Sequence, residues 1–201
     1  MIGWLYDLLS GRAERAGIGQ LRHDLLADLD GDVIEIGSGT GASLPYYERA
    51  TRVVAVEPDA SMAKRLPTKV EEAKVPVEVV STRAQALPFP DESFDAAVAA
   101  FVLCSVEDQG EVLAEARRVL RPGGKLVLLE HVLGQGGTAR WQNRLTPLHK
   151  RMAGNCHLNR DTRAAVARAG FDVAGIEATL LPGTHPLVRP GIQGVAIKTS
   201  S

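Results

Sequence analysis

Three glycines alternate in the run Glu35-Ile36-Gly37-Ser38-Gly39-Thr40-Gly41, directly behind the apolar residues Val33 and Ile34. A buried strand that ends in residues without side chains brings bare backbone N–H groups up to a ligand, and a helix opening next would turn its positive end to the same spot. That is the chemistry of a nucleotide-type cofactor. Gly37-x-Gly39-x-x-Ala42 satisfies the dinucleotide fingerprint, and Glu57 stands where an acid that accepts from ribose hydroxyls is expected. His131 and His157 are the side chains suited to moving a proton near neutral pH. The two cysteines, Cys104 and Cys156, form no C-x-x-C pair and no Cys/His group at zinc spacing, which argues against a disulfide scaffold and against a metal site. On these residues alone a hydride-transferring dehydrogenase and other users of the glycine loop both remain.

The elements that must hold these residues alternate between strand and helix. Residues 1–30 read as helical, with apolar positions three and four apart and Gly17 and Gly19 splitting the run, and they would form a cap. Strands are expected at Val33 to Ile36, Arg52 to Glu57, Val77 to Val80, Phe94 to Phe101 and Lys125 to Val132, with helices over 42–48, 60–70 and 109–120. Ser105-Val106-Glu107-Asp108 reads as a capping box for the last of these, and Arg121-Pro122-Gly123-Gly124 stops it. Helices follow at Thr138 to Met152 and Asn159 to Ala169, then two late strands, Phe171 to Thr179 and Gln193 to Thr199, joined by a proline-rich loop without a helix. The expectation is an α/β fold: a Rossmann-like, seven-stranded, doubly wound sheet, mostly parallel, with a C-terminal antiparallel hairpin. Residues 1–201 would form a single domain, with residues 134–160 as a second capping segment.

Composition sets the outer bounds. The chain has 201 residues, 45% of them apolar and 23% charged, which suits one ordinary globular core. Its net charge of -1 is split: from His131 onward nine Lys/Arg face three Asp/Glu, giving +6 there and therefore -7 before it. Such a basic third is most often a solvated surface, although an anionic substrate or peripheral membrane contact would also suit it. The apolar run at the N-terminus is too short to span a bilayer, and few cysteines fit a reducing, cytoplasmic compartment. Oligomeric state is left open.

Four blocks recur in one order: Glu35-x-Gly37-x-Gly39-x-Gly41; Val56-Glu57-Pro58-Asp59; Leu87-Pro88-Phe89-Pro90-x-x-Ser93-Phe94-Asp95; and Arg118-Val119-Leu120-Arg121-Pro122-Gly123-Gly124. In this the chain resembles the class I S-adenosylmethionine-dependent methyltransferases that act on small molecules. The resemblance implies that Glu35 orients the loop and reaches the cofactor ammonium, and that Gly37, Ser38, Gly39 and Gly41 approach its methionine part. Glu57 would accept from both ribose hydroxyls, Pro58 and Asp59 would flank the adenine, and Phe101 would lie near the methionine end. Relatives carry an Asp before Leu-Pro-Phe that binds the adenine amino group; here Arg83 stands in that region and cannot accept, so Ala84 backbone groups or Gln85 would take over. S-Adenosylhomocysteine would be the product.

The acceptor is signalled less directly. The Asn/Asp-Pro-Pro-Tyr/Phe motif of nucleic-acid amino-methylating enzymes is absent after the fourth strand, and aromatic residues are only 4% of the chain, so nucleic acid is not the expected partner. Val102-Leu103-Cys104-Ser105-Val106, Glu130-His131, Trp141-Gln142, Asn155 to Arg160 and Val188-Arg189-Pro190-x-Ile192-x-Gly194 resemble the alkyl thiol methyltransferases, which implies a small lipophilic thiol acceptor. A thiol reacts as its thiolate, which His131 first and His157 second would favour. Trp4, Tyr6, Cys104, Trp141 and Cys156 would line the acceptor pocket. Methylation of a quinone or phenol at carbon or oxygen, of a phospholipid amine, and a non-catalytic cofactor-binding partner module are the alternatives.

Overall fold

The computed structural model describes residues 11–199. The first described segment is a π-helical turn, Glu14–Ile18, which Gly17 breaks at φ 133°; it continues as helix α1, Gly19–Leu26. Strand β1 (Asp30–Ile36) pairs in parallel with β2 (Arg49–Val56) on one side and with β4 (Phe94–Ala100) on the other. Strand β3 (Val77–Val80) extends the sheet beyond β2, and β5 (Leu120–His131) extends it beyond β4, both in parallel.

The last strands run the other way. Strand β8 (Pro190–Lys198) is antiparallel to β5, and its far side pairs with β6 (Phe171–Asp172) and β7 (Ile176–Leu180). The order is β3-β2-β1-β4-β5-β8-β6, with β7 sharing the outer edge of β8. The single late strand expected over 171–179 is therefore two short ones, interrupted where Gly175 packs so closely on the Val195 carbonyl that a Cβ would approach it to 2.5 Å. The sheet still has seven positions, with the antiparallel hairpin at one edge.

Apolar residues on both faces of the central strands explain their placement. Ile34, Ile36, Ala97 and Leu126 pack on one side; Val33, Val53, Val98 and Val127 pack on the other. Helix α4 (Gln109–Val119) turns Val112, Leu113, Ala116 and Val119 into the first of these layers. The valine and leucine side chains among them each contribute about 1.5–3 kcal/mol on burial. Its N-cap is Asp108, whose Oδ1 accepts from the N–H groups of Gly110 and Glu111 at 2.6 and 3.4 Å. The cap thus sits three residues later than the expected Ser105 box.

The helix expected over 42–48 does not form. A short 3-10 turn, Leu44–Tyr46, follows the glycine loop, and Tyr47 is already extended at φ -76° and ψ 119° toward β2. Ser43 and Tyr47 turn inward and are buried. The helix over 60–70 is likewise two pieces, α2 (Ala60–Ala63) and α3 (Leu66–Glu71), the second accommodating Pro67 in its first turn as the ring's fixed φ permits. Helices α5 (Gly136–Met152) and α6 (Thr162–Arg168) complete the described elements. Among the described residues no helix is long and apolar enough to cross a membrane.

Candidate functional site

The carboxyl ends of β1, β2 and β4 frame a cleft of about 720 Å³. Glu35, Gly37, Ser38 and Gly39 line it from the first strand, Glu57, Pro58 and Asp59 from the second, and Ala84, Gln85 and Phe101 from the loops beyond. This is the crevice where an open α/β sheet reverses its strand order, with β2 lying to one side of β1 and β4 to the other.

The glycine loop is stitched to the sheet rather than left bare. Ser38 N–H donates to the Val56 carbonyl at 2.9 Å, Gly39 N–H to Glu57 Oε2 at 2.8 Å, and Gly41 N–H to the Ser38 carbonyl at 2.8 Å. The expectation of free N–H groups and a helix end is thereby corrected: the loop supplies shape. All three glycines have positive φ, at 69°, 58° and 85°. A Cβ on Gly37 would lie 2.3 Å from Val102, and one on Gly41 2.8 Å from the Lys69 side chain; at Gly39 it would meet open space. Gly41 therefore packs against α3 and does not line the cleft, whereas Gly39 faces it.

Two buried carboxylates stand beside this loop. Glu57 holds both flanks, its Oε1 accepting from the Asp59 N–H at 2.8 Å. Burial raises its pKa, outweighing these two backbone hydrogen bonds. Glu35 is also raised by burial, against the Ser43 hydroxyl and the Arg22 guanidinium that lower it, and its Oε2 is buried without a hydrogen bond among the described residues. Asp59 caps α2 instead, accepting from the Ser61 N–H at 2.7 Å and the Ser61 hydroxyl at 2.6 Å. The exposed Arg83 reaches Glu107 at 3.0 Å across the rim.

Arg22, on α1, is the residue that motif reading missed. It is buried, lines the cleft, and donates from Nη1 to Ser43 Oγ at 2.7 Å and from Nε to Glu14 Oε1 at 3.1 Å. Its guanidinium lies 5.4 Å from the centroid of the Phe101 ring. Phe101 itself is held at φ 59°, a left-handed conformation that costs an aromatic residue of order 1–3 kcal/mol and is common at binding sites. Its N–H donates to the Leu129 carbonyl at 2.9 Å.

A second chamber of about 440 Å³ adjoins the first, and Arg22, Ala42, Phe101, Ser105 and Ala153 line both. Cys104, His131 and Cys156 converge in its wall, their ligand atoms all within 4.8 Å of one another, and His131 Nε2 lies 2.9 Å from Cys156 Sγ. The register explains the convergence. Ala100 pairs with Leu129, which puts the turn after β4 beside the end of β5, and the His157 N–H then ties the return segment to the Cys104 carbonyl at 2.8 Å. Burial lowers the His131 pKa, but the charges of Cys104 and Glu130 outweigh it and the result is a rise. The Cys156 thiol is lowered chiefly by its hydrogen bond with Cys104, and that same contact together with burial pushes Cys104 up. Glu130 Oε1 accepts from the N–H groups of Val102 and Leu103 at 2.7 and 2.8 Å, while Oε2 and His131 Nδ1 are buried without hydrogen bonds among the described residues.

Two expected residues lie elsewhere. Trp141 is 56% exposed, its ring against Arg144 at 5.8 Å, because Gln142 and Thr146 occupy the inward face of α5; His149 from that helix lines the chamber instead. His157 faces neither cavity: its Nδ1 lies 3.2 Å from the Cys104 carbonyl, a clamp between segments. Trp4 and Tyr6 lie outside the described residues. The absence of a Cys/His group at zinc spacing holds along the chain but not in space, since 104, 131 and 156 meet.

Residues 34–128 match the model of a methyltransferase domain. Human thiol S-methyltransferase TMT1A is 34% identical over 171 residues, covering 83% of this chain and 70% of that protein. The chain belongs to the S-adenosylmethionine-dependent methyltransferases. A phosphatidylethanolamine N-methyltransferase of Cereibacter sphaeroides is 41% identical over 103 residues, 50% of this chain and 51% of that one. The structure of a geranyl diphosphate methyltransferase in complex with the cofactor superposes on this methyltransferase with a TM-score of 0.71 at 17% identity, covering 92% and 85% of the two chains, and so shares its fold.

Proposed function

We propose that this methyltransferase transfers a methyl group to the sulfur of a small lipophilic thiol, and that the acceptor occupies the chamber beside His131. The observation that carries the reading is the buried His131 imidazole, which faces a largely apolar chamber that opens onto the cofactor cleft and already partners a thiol there, Cys156 Sγ at 2.9 Å. The similarity to human thiol S-methyltransferase TMT1A over 83% of this chain supports it.

The cleft suits the cofactor. Glu35 Oε2, buried without a hydrogen bond among the described residues, is placed for an ammonium group, and the buried Arg22 guanidinium for the methionine carboxylate. Each Glu57 oxygen keeps a lone pair for a ribose hydroxyl beyond the backbone N–H it already accepts. Gly39 leaves room for close approach. The bound cofactor supplies an electrophilic sulfonium methyl group. Phe101, shared by both cavities and fixed by its strained backbone, orients the two reactants, and positioning of this kind can contribute roughly 7–11 kcal/mol. His131 accepts the thiol proton, so that the acceptor attacks as thiolate. The segments from α1 and from 153–156 close over the junction and keep water from it.

The test is methyl transfer from labelled cofactor to parallel panels of alkyl thiols, phenols, quinols and lipid amines. Thioether formation, and its loss in His131→Asn with binding of S-adenosylhomocysteine retained, is expected. Transfer confined to the other panels, or an unimpaired His131→Asn, would overturn the assignment.

A further inference from the structure

The three atoms that meet in the chamber wall are all soft or borderline metal ligands, and nothing in the proton-transfer reading uses both thiols. We propose that Cys104, His131 and Cys156 form a binding site for a thiophilic divalent cation, zinc above all, with its fourth position open to the acceptor chamber. The inference rests on the thiol reading for the chemistry of that fourth ligand but not for the cation site itself.

Geometry carries it. Tetrahedral zinc holds sulfur at about 2.3 Å and nitrogen at about 2.0–2.1 Å, so ligand atoms in such a site stand somewhat under 4 Å apart. The three donors here, all within 4.8 Å of one another, need only small side-chain adjustments to reach that spacing. Two thiolates and one imidazole with a vacant fourth position is a donor set of catalytic rather than structural zinc sites. The vacancy has a direction, because all three residues line the 440 Å³ chamber. The surroundings fit a polar site too: Glu130, next to His131 in the chain, is fully buried, and its Oε2 lacks a hydrogen bond among the described residues. The frame is rigid: Arg160 donates to the carbonyls of Leu103, Val106 and Glu107, and His157 to that of Cys104, locking the two cysteine-bearing segments together.

Loading the site releases the two cysteine protons to solvent and leaves His131 neutral, donating its lone pair from Nε2. An acceptor thiol entering the fourth position binds as thiolate and its proton leaves with the solvent it displaces. When the C–S bond of the sulfonium breaks and the new S–CH₃ bond forms, the acceptor becomes a neutral thioether, a weaker ligand that departs. In the loaded protein the cation takes the place of His131 as the agent that keeps the acceptor ionised.

The experiment uses the full chain, stripped with a chelator under reducing conditions and titrated with zinc against a chromophoric competitor, and in parallel with cobalt(II). Expected are one zinc per chain, thiolate-to-cobalt absorption in the near ultraviolet, and loss of both in Cys156→Ser and in Cys104→Ala. Binding of S-adenosylhomocysteine by these variants shows that they are folded. No zinc uptake beyond surface binding, or uptake indifferent to both substitutions, would overturn the site. The cobalt visible bands should shift when an alkyl thiol is added and not when its methyl thioether is. A site that binds zinc while its cobalt bands ignore every thiol takes the acceptor out of the fourth position and leaves the cation site standing. A protein that takes up no zinc yet methylates thiols removes the cation site and leaves the thiol reading standing.

Discussion

Replacing Glu57 by Gln isolates one interaction in the cofactor cleft with little change of shape. In the folded protein the Glu57 carboxylate accepts from the Gly39 N–H on one oxygen and the Asp59 N–H on the other, both at 2.8 Å. A glutamine keeps one acceptor oxygen and turns an NH₂ group toward the second N–H, donor against donor. Hydrogen bonds to a charged group are worth about 1.5–3 kcal/mol each, so the variant should lose about that much stability. The same substitution removes one of the two acceptors offered to the ribose diol. Since 1.4 kcal/mol is a factor of ten, affinity for S-adenosylhomocysteine should fall about 10- to 100-fold. Titration calorimetry measures the affinity and thermal unfolding of the free protein measures the stability. The pH dependence adds an internal control. Burial raises the folded-state Glu57 pKa, so the carboxylate needed for binding is lost as pH falls through a value above the usual 4.5. Wild-type affinity should therefore weaken more steeply in mildly acidic solution than that of Glu57→Gln, which keeps only the dependence that the raised Glu35 carboxyl gives both proteins. Equal affinity in the two proteins, or equal pH dependence, would refute the placement of the ribose on Glu57.

Two further outcomes follow from groups outside that contact. Arg22→Lys keeps the positive charge but cannot make the Ser43 and Glu14 hydrogen bonds together; it should weaken S-adenosylhomocysteine at least tenfold and adenosine, which lacks the carboxylate, far less, and an equal loss for the two ligands would remove Arg22 from the methionine end. Glu115 is gripped by Arg118 at 2.7 and 2.9 Å and accepts the Leu87 N–H at 2.8 Å, and the Arg118 hydrogen bond lowers its pKa below 4.5. A carboxylate lowered on folding contributes stability at pH values above 4.5, and that contribution disappears as pH drops through its folded-state value. Glu115→Gln should accordingly show a smaller loss of melting temperature on acidification than wild type, and identical acid limbs would count against the clasp.

How far the sequence alone reached is visible in particular residues. Strands β1, β2 and β4 are runs of apolar residues buried on both faces, and such runs announce themselves without a partner. Glu35 and Glu57 lie in the cleft as expected because each sits at or just past the end of its strand, and strand ends are local features. The failures were of another kind. Residues 42–48 carry helix-compatible side chains, but Ser43 and Tyr47 are drawn inward around Glu35, so tertiary contacts overrode propensity. Trp141 looked like a pocket wall by its type, yet the rotation of α5, fixed by Gln142 bonding to Gly134, Val132 and Leu187, turns it to solvent.

By itself the sequence determined the alternation of elements, the glycine loop and, through four ordered blocks, the methyl donor, because each depends on neighbours a few residues apart. Tertiary structure alone decided that Arg22 enters the cleft and that Cys104, His131 and Cys156 meet. Those residues come from separate elements, and their distances are set by the pairing of β4 with β5 and by the return of the chain after α5. No local pattern records such a meeting, since the register of a sheet is a property of strands that are far apart along the chain.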